Sequence, residues 1–157
     1  MPLYVKAEEI KSDTIKTQYT QMSTRIVYGN ESSLMLATRP GGYHSRPHKH
    51  DTEQMNYVID GEIWVFVEDQ FFLVKAGDFY RVPSNAVHWG WITSDKPCTI
   101  LEVFAPTYVA GSHENVVPLF AEGEMPRPLT AIETVSVSDE YRKIEEKLPI
   151  KKKERSS

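Results

Sequence analysis

The chain has 157 residues, which fits one domain and leaves little room for a second. Its composition, 40% hydrophobic and 25% charged, is typical of a globular protein and excludes disorder over the whole length. Eighteen Lys and Arg against 22 Asp and Glu give a net charge of −4, so no bulk positive field is present to bind a nucleic acid. We therefore expect one folded domain and no nucleic-acid partner.

Cys98 is the only cysteine, which excludes an internal disulfide and a zinc finger built on cysteines. The first residues lack the basic and apolar segments of a signal peptide, and the longest fully apolar run in the middle of the chain covers only residues 63–67. These features predict a cytoplasmic protein in a reducing compartment, with no membrane partner.

Short apolar stretches alternate with Gly, Pro, Asn and Asp between Arg25 and Tyr108, as is typical of an antiparallel sandwich or barrel. Asp60-Gly61 predicts a tight hairpin turn because both residues tolerate a positive φ, and residues 68–70 predict a second hairpin tip. The pattern predicts strands over residues 25–28, 34–38, 48–50, 54–59, 63–68, 71–74, 78–82, 87–91 and 99–104.

Outside this block the pattern is weaker, and the chain divides into an N-terminal arm (1–23), a barrel (24–110) and a C-terminal extension (111–157). The arm is expected to add an edge strand or to lie across the barrel. Three prolines predict an extended path over residues 111–135.

The end of the extension carries a candidate helix and a basic tail. Ser138 is a candidate N-cap for a helix over residues 139–148, in which Tyr141, Ile144 and Leu148 share one face. That apolar face is expected to pack on the protein. The lysines at 151–153 are expected to form a solvated end.

Two histidines, His48 and His50, lie two residues apart on one predicted strand. Alternate residues of a strand project from the same face, so both imidazoles point to one place. Gln54 keeps the same parity at the start of the next strand, and His88 stands on a later strand. Three neutral nitrogens and one neutral oxygen suit one divalent transition metal (Zn²⁺, Ni²⁺, Fe²⁺, Mn²⁺ or Cu²⁺) better than Ca²⁺ or Mg²⁺.

None of these four groups is anionic, so an ion bound by them keeps its full charge and strongly polarises an oxygen bound to it. This favours Lewis-acid chemistry. A pair of histidines two residues apart also arises by chance on exposed strands, but Gln54, His88 and the spacing of the glycines argue against chance here.

The spacing of these residues resembles the two motifs of the cupin family. The first motif, with glutamine where glutamate is usual, is matched by Gly42, His48, His50, Gln54 and Gly61. The second, with lysine where proline is usual, is matched by Lys75, Gly77, Asp78, Pro83 and His88. The resemblance implies an all-β fold, the double-stranded β-helix or jelly-roll barrel, often dimeric, with an interior metal. It gives the ligand roles to His48, His50, Gln54 and His88.

The set of three histidines and a glutamine is similar to that of the small cupins that open unsaturated uronates into linear keto sugars, and to that of the bacilysin-pathway isomerase. In the uronate enzymes the last strand carries an acidic residue and a phenylalanine that serve the reaction, followed by an arginine. Glu102 and Phe104 match the first two, and Tyr108 stands in place of the arginine. The resemblance implies a catalytic Glu102 and substrate contacts from Phe104 and Tyr108, and it leaves the substrate open.

Parity along the strands adds two candidate substrate contacts. Asn56 continues the face of Gln54, and His44 lies at the rim before His48. Glu102 either points inward as a general acid or base, or faces outward in an ion pair. Candidate partners of an anionic ligand, each otherwise a surface ion-pair residue, are Arg25, Arg39, Arg46 and Arg81.

We therefore predict a metal-dependent isomerase or lyase that acts on a small keto or sugar-derived substrate, with Glu102 moving a proton. An Fe²⁺ dioxygenase is a second hypothesis, because three histidine ligands with open positions also support O₂ chemistry in cupins. A non-catalytic sensor of a sugar or small acid is a third. Trp89 and Trp91 share a face opposite to His88 and are expected to pack between sheets or in a homodimer.

Overall fold

The computed structural model describes residues 3–10, 13–16, 21–107, 133–134 and 139–149, which form two antiparallel β-sheets and one short helix. Sheet A has six strands in the order β1 (Asp13–Lys16), β2 (Gln21–Tyr28), β3 (Ser33–Arg39), β10 (Cys98–Ala105), β5 (Glu53–Asp60) and β8 (Phe79–Val82). Sheet B has five, in the order β11 (Glu133–Thr134), β4 (His48–Lys49), β9 (His88–Trp91), β6 (Glu62–Val67) and β7 (Gln70–Lys75). A 3-10 helix (Ala7–Glu9) precedes β1, and helix α1 (Asp139–Glu146) follows β11.

The predicted all-β jelly roll is confirmed. Each of the nine predicted strands corresponds to one of β2 to β10, with ends that differ by at most four residues. β1 lies in the predicted N-terminal arm and adds an edge strand beside β2. β11 was not predicted, and the rest of the predicted extended path over 111–135 lies outside the described residues.

Alternation along the central strands of sheet A decides which side chains enter the barrel. β5 and β10 pair so that Asn56 stands opposite Glu102 and Val58 opposite Ile100, and all four side chains are buried. The end of the barrel near the β5–β6 turn is filled by the apolar residues Val58, Ile63, Val65, Val74, Ile92, Cys98 and Ile100. This end of the barrel is therefore packed with apolar side chains, whereas Gln54 and Asn56 enter the barrel nearer the start of β5.

The predicted hairpin turn at Gly61 is present, with a φ of 79°. A side chain there would be strained by this positive φ, and its Cβ would also lie 2.4 Å from the carbonyl oxygen of Pro97. The second predicted tip turns at Glu68, whose Oε1 accepts a hydrogen bond from the Val87 amide at 2.7 Å. The first turn therefore lies close to the backbone of Pro97, and the second is linked to Val87 by this hydrogen bond.

Helix α1 covers the outer face of sheet B. The helix ends at Glu146, two residues before the predicted end. Its Ile144, and Leu148 just past its end, are buried against an apolar cluster of the sheet that includes Phe66 and Trp89. The predicted packing of this apolar face is confirmed. Trp89 and Trp91 contact the same cluster, so α1 covers the side of sheet B where we expected a second sheet or a second copy of the protein. The predicted cap Ser138 and the lysines at 151–153 lie outside the described residues.

No helix among the described residues is long and apolar enough to span a bilayer.

Candidate metal centre

Three histidines meet at the polar end of the barrel. His48 on β4 stands directly opposite His88 on β9, and the centroids of their rings are 4.2 Å apart. The ring of His50, just past the end of β4, lies 4.8 Å from that of His88 and 6.2 Å from that of His48. Each residue offers one ligand atom within 4.8 Å of the other two. The pairing of two short strands therefore creates a cluster that could hold a metal ion.

Hydrogen bonds to the backbone fix which ring nitrogen of each histidine carries the proton. Nδ1 of His48 lies 2.8 Å from the carbonyl oxygen of Arg46, and Nδ1 of His88 lies 3.0 Å from that of Ala86. Nδ1 of His50 lies 3.0 Å from the carbonyl oxygen of Thr52. A carbonyl oxygen only accepts, so each Nδ1 must donate a proton to it. Each Nε2 then keeps its lone pair, which is the form that binds a metal.

Burial keeps two of these imidazoles uncharged. It lowers the pKa of His48 below its ordinary value, although the hydrogen bond to the Arg46 carbonyl opposes this. Burial and the neighbouring ring of His48 lower the pKa of His88 to about 3. Because protonated imidazole cannot bind a metal, neutral rings at pH 7 are ready to act as ligands without first losing a proton.

Gln54 is the second residue of β5, points into the barrel and is 6% exposed. Its Nε2 donates a hydrogen bond of 2.8 Å to Oδ1 of Asn56, which lies two residues on along the same face. Phe104, opposite Gln54 on β10, presents its ring to that of His50 in an edge-on contact with centroids 5.9 Å apart. The structure therefore brings Gln54, Asn56 and Phe104 to the interior face on which they were predicted.

The donor atoms fit a divalent transition metal. An ion about 2.1 Å from each nitrogen would separate two ligand nitrogens by roughly 3 to 4 Å. The ligand atoms of the three histidines lie within 4.8 Å of one another, so small shifts of the side chains would let them share one ion. Imidazole nitrogens with a neutral oxygen nearby are the ligands of zinc, nickel, iron and manganese rather than of calcium.

Glu102 points into the barrel and is 1% exposed, so it is not the outward strand residue that we considered as the alternative. It nevertheless forms an ion pair, because its Oε1 accepts a hydrogen bond from Nη2 of Arg39. Arg39 is 8% exposed, and its guanidinium carbon lies 5.3 Å from the ring centroid of Tyr43. The interior therefore holds a carboxylate together with its own counter-charge.

The charge of this pair is fixed by its surroundings. Burial alone would lower the pKa of Arg39, but the charge of Glu102 raises it above its ordinary value, so the guanidinium stays protonated. Burial and the charge of Glu102 raise the pKa of Tyr80, which stays a neutral phenol. Within the described part of the chain, Nη1 of Arg39 and Nδ2 of Asn56 are buried donors without a hydrogen-bond partner.

His44, another predicted substrate contact, does not lie in the barrel interior. His44 is on the outer side of sheet B, where its ring stacks on Trp91 with centroids 4.6 Å apart and its Nε2 donates to Oε1 of Glu145 at 2.6 Å. The backbone of His44 pairs with that of Trp91, so the two side chains lie on the same face of sheet B. Trp91 projects from the face opposite to His88, and His44 therefore points away from the three histidines. Tyr108 lies outside the described residues.

One residue of the site was not identified from the sequence, and a second was not distinguished from three alternatives. Thr52 supports His50 with its carbonyl oxygen and with its hydroxyl, 2.8 Å from Nδ1. Nothing in the sequence distinguishes it from a turn residue. Arg39 was one of four candidate arginines, and parity along β3 with the buried Met35 and Ala37 is the signal that places it inside. Arg81, another of the four, pairs with Glu53 on the surface.

The β-barrel and its cluster of neutral histidines define a small barrel protein with a candidate metal site. Comparison with known proteins makes the class specific. The model of the cupin domain (Cupin_2) matches residues 35–104. The pectin degradation protein KdgF of Dickeya dadantii is 33% identical over 82 residues, which are 52% of this chain and 74% of that protein. The chain belongs to the cupin family.

Solved structures agree with the fold. The polyketide cyclase RemF of Streptomyces resistomycificus superposes with a TM-score of 0.63 at 15% identity, over 89% of each chain. KdgF from Halomonas sp. superposes with a TM-score of 0.56 at 18% identity, over 64% of this chain and 92% of that one. At identities of 15% and 18% these two likenesses show the fold alone.

Proposed function

We propose that this cupin is a metal-dependent enzyme, an isomerase or lyase that acts on a small keto or sugar-derived molecule. One observation carries the proposal: three histidines with inward lone pairs share the barrel interior with a buried carboxylate, Glu102. The name of the D. dadantii relative, a pectin degradation protein, supports a substrate derived from a carbohydrate.

We assign the ligand roles to His48, His50, His88 and Gln54. A divalent ion held by these uncharged groups would act as a Lewis acid towards a carbonyl or hydroxyl oxygen. The carbonyls of Arg46, Ala86 and Thr52 keep the three imidazoles in the tautomer that ligation needs.

Glu102 is assigned the proton transfer. Its Oε1 is bound to Arg39, so the carboxylate is held in one orientation and Oε2 is assigned as the proton acceptor. Oε2 takes a proton from the carbon beside the substrate carbonyl and returns it to a neighbouring atom, which moves the double bond without net oxidation. Phe104 and Asn56 are assigned to the wall of the substrate site, and for Tyr108 we propose the substrate contact that the resemblance implies. Phe104 also contacts the ring of His50 edge-on, so its apolar ring lies beside the proposed ligands.

The test is exchange of carbon-bound hydrogen in D₂O, followed by NMR. Small hydroxy aldehydes, keto acids and uronates are incubated with metal-loaded wild type, with His50→Ala and with Glu102→Gln. We expect deuterium to enter at least one compound with the wild type, and both variants to lose at least about 100-fold in rate. Glu53→Gln is the matched control, because it removes a carboxylate that pairs with Arg81 on the surface. Exchange at the wild-type rate by Glu102→Gln would contradict the role of Glu102. Exchange at that rate by metal-free protein would contradict the role of the ion.

The two other hypotheses give different results in the same samples. A dioxygenase consumes O₂ when loaded with Fe²⁺ and not with Zn²⁺. A sensor binds its ligand without turnover, and binding survives the loss of the histidines. Either result would replace the isomerase or lyase proposal.

We also propose a cytoplasmic homodimer that associates through the outer face of sheet A. The support is a set of large apolar side chains exposed on β5 and β8, with Met55 53%, Ile59 47% and Phe79 78% exposed. Contiguous exposed apolar surface of this kind is typical of protein interfaces. The single cysteine, buried and unpaired, supports a reducing compartment.

A further inference from the structure

We propose that Asn56 is a positioning residue, which orients the side-chain amide of Gln54 so that its oxygen and not its nitrogen faces the three histidines. The inference rests on the ligand role proposed for Gln54.

The two ends of a glutamine amide differ in chemistry but hardly in shape. The oxygen has lone pairs for a metal, whereas the nitrogen carries two hydrogens and has no lone pair to offer. Rotation by half a turn exchanges the two ends at almost no steric cost, so packing alone does not select one of them. A ligand of this kind therefore needs a hydrogen-bond partner that distinguishes the ends.

Asn56 is such a partner. Its Oδ1 accepts a hydrogen bond of 2.8 Å from Nε2 of Gln54, which leaves Oε1 at the other end of the amide. The two residues are neighbours on the inner face of β5, and they are 6% and 3% exposed. Water therefore does not compete for this hydrogen bond, which strengthens its effect on orientation.

The surroundings also select the orientation of Asn56 itself. Glu102 stands directly opposite Asn56 on β10 and carries the negative charge of the Arg39 ion pair. Rotation of the Asn56 amide would remove the acceptor for Gln54 and leave Oδ1 buried on the strand beside this negative charge, which opposes the rotated form. Nδ2 stays buried without a partner among the described residues, so this orientation is kept although it leaves a donor unsatisfied.

The experiment measures Zn²⁺ affinity at neutral pH by competition with a chromophoric chelator. Asn56→Leu keeps the size of the side chain but removes the acceptor, and we expect the affinity to fall by about 10- to 100-fold. Val58→Ala, one position further along the same face, is the control for lost packing and is expected to leave the affinity within about threefold.

A double-variant cycle separates positioning from a structural role. In the Gln54→Ala background the amide is gone, so adding Asn56→Leu should change the affinity by less than about twofold. The absorption spectrum of the Co²⁺ protein gives a second signature, because loss of the oxygen ligand alters the visible bands in Asn56→Leu but not in Val58→Ala. A protein that merely loses stability would instead show the same effect of Asn56→Leu with and without Gln54.

Wild-type affinity and an unchanged Co²⁺ spectrum in folded Asn56→Leu would overturn the inference while leaving the metal site intact. An equal loss in the Gln54→Ala background would overturn it too. Absence of metal binding by the wild type would overturn both this inference and the proposed function.

Discussion

Arg39 and Glu102 are 63 residues apart in the chain and form a buried ion pair inside the barrel. Arg39 lies at the end of β3 opposite Cys98, whereas Glu102 lies four residues further along β10, opposite Met35. Between them on the inner face of β3 is Ala37, which is fully buried. Its small side chain leaves room for the long arginine side chain to reach the carboxylate.

Removal of one partner of this pair should be costly. Arg39→Met leaves Glu102 as a buried charge without its partner, and we expect the free energy of unfolding to fall by about 3 to 5 kcal/mol. Arg39→Met combined with Glu102→Gln removes both charges and should recover most of that loss. Urea denaturation measures both.

The surface pair of Arg81 with Glu53 is the matched control, since these side chains are 60% and 41% exposed. Arg81→Met should cost less than about 1 kcal/mol. Equal losses from Arg39→Met and Arg81→Met would show that the interior pair is not buried in solution.

The metal-free protein should lose stability as the pH falls below about 6.5. The pKa of His88 is lowered to about 3 by burial and by His48, whereas an unfolded histidine has a pKa of about 6.5. Between these values the unfolded chain binds the proton and the folded chain does not, so acid favours unfolding. The contribution of the neutral His88 to the free energy of unfolding is fully present above about pH 6.5 and is lost as the pH falls towards 3.

Denaturation at about pH 7.5 and pH 5 checks this prediction. His88→Gln has no such group, so its unfolding free energy should fall by roughly 1 to 2 kcal/mol less than that of the wild type between the two pH values. An identical fall in both proteins would mean that His88 is accessible to protons in the fold.

Tryptophan fluorescence should report the docking of helix α1. The chain has three tryptophans, and Trp64, Trp89 and Trp91 all contact the cluster that Ile144 joins. Ile144→Asp places a charge in that cluster, so we expect a red-shifted emission and stronger quenching by acrylamide. Lys143→Asp, exposed on the same helix, should leave the spectrum unchanged. An unshifted spectrum in Ile144→Asp would argue against docking of α1 on sheet B.

Light scattering tests the proposed dimer. Phe79 is the most exposed of the apolar residues on the outer face of sheet A, and Phe79→Arg should convert a dimer of the wild type into a monomer. Gln70→Arg adds the same charge at the exposed β6–β7 tip and should leave the dimer intact. A wild type that is monomeric at high concentration would contradict the proposal.

Much of the fold and the cluster could be predicted, because both follow from local rules. The two-residue period of a strand puts His48 and His50 on one side, and turn residues mark where Gln54 and His88 begin new strands. The tight turn at Gly61 likewise follows from the backbone freedom of one residue type.

The remaining features depend on contacts that no local pattern encodes. Arg39 lies one residue beyond the predicted end of its strand, so its inward direction was not apparent. His44 follows Trp91 to the outer face because β9 pairs with it there, which parity across Pro47 does not reveal. β11 has two residues, too few for any periodicity.

Metal content after loading with Zn²⁺ and exhaustive dialysis tests the central claim most directly. Elemental analysis should find about one equivalent in the wild type and in His44→Ala, whose histidine lies on the outer face, and well under a tenth of that in His50→Ala and in His88→Ala. A wild type without bound metal, or a full equivalent retained by His50→Ala, would contradict a metal site formed by this cluster.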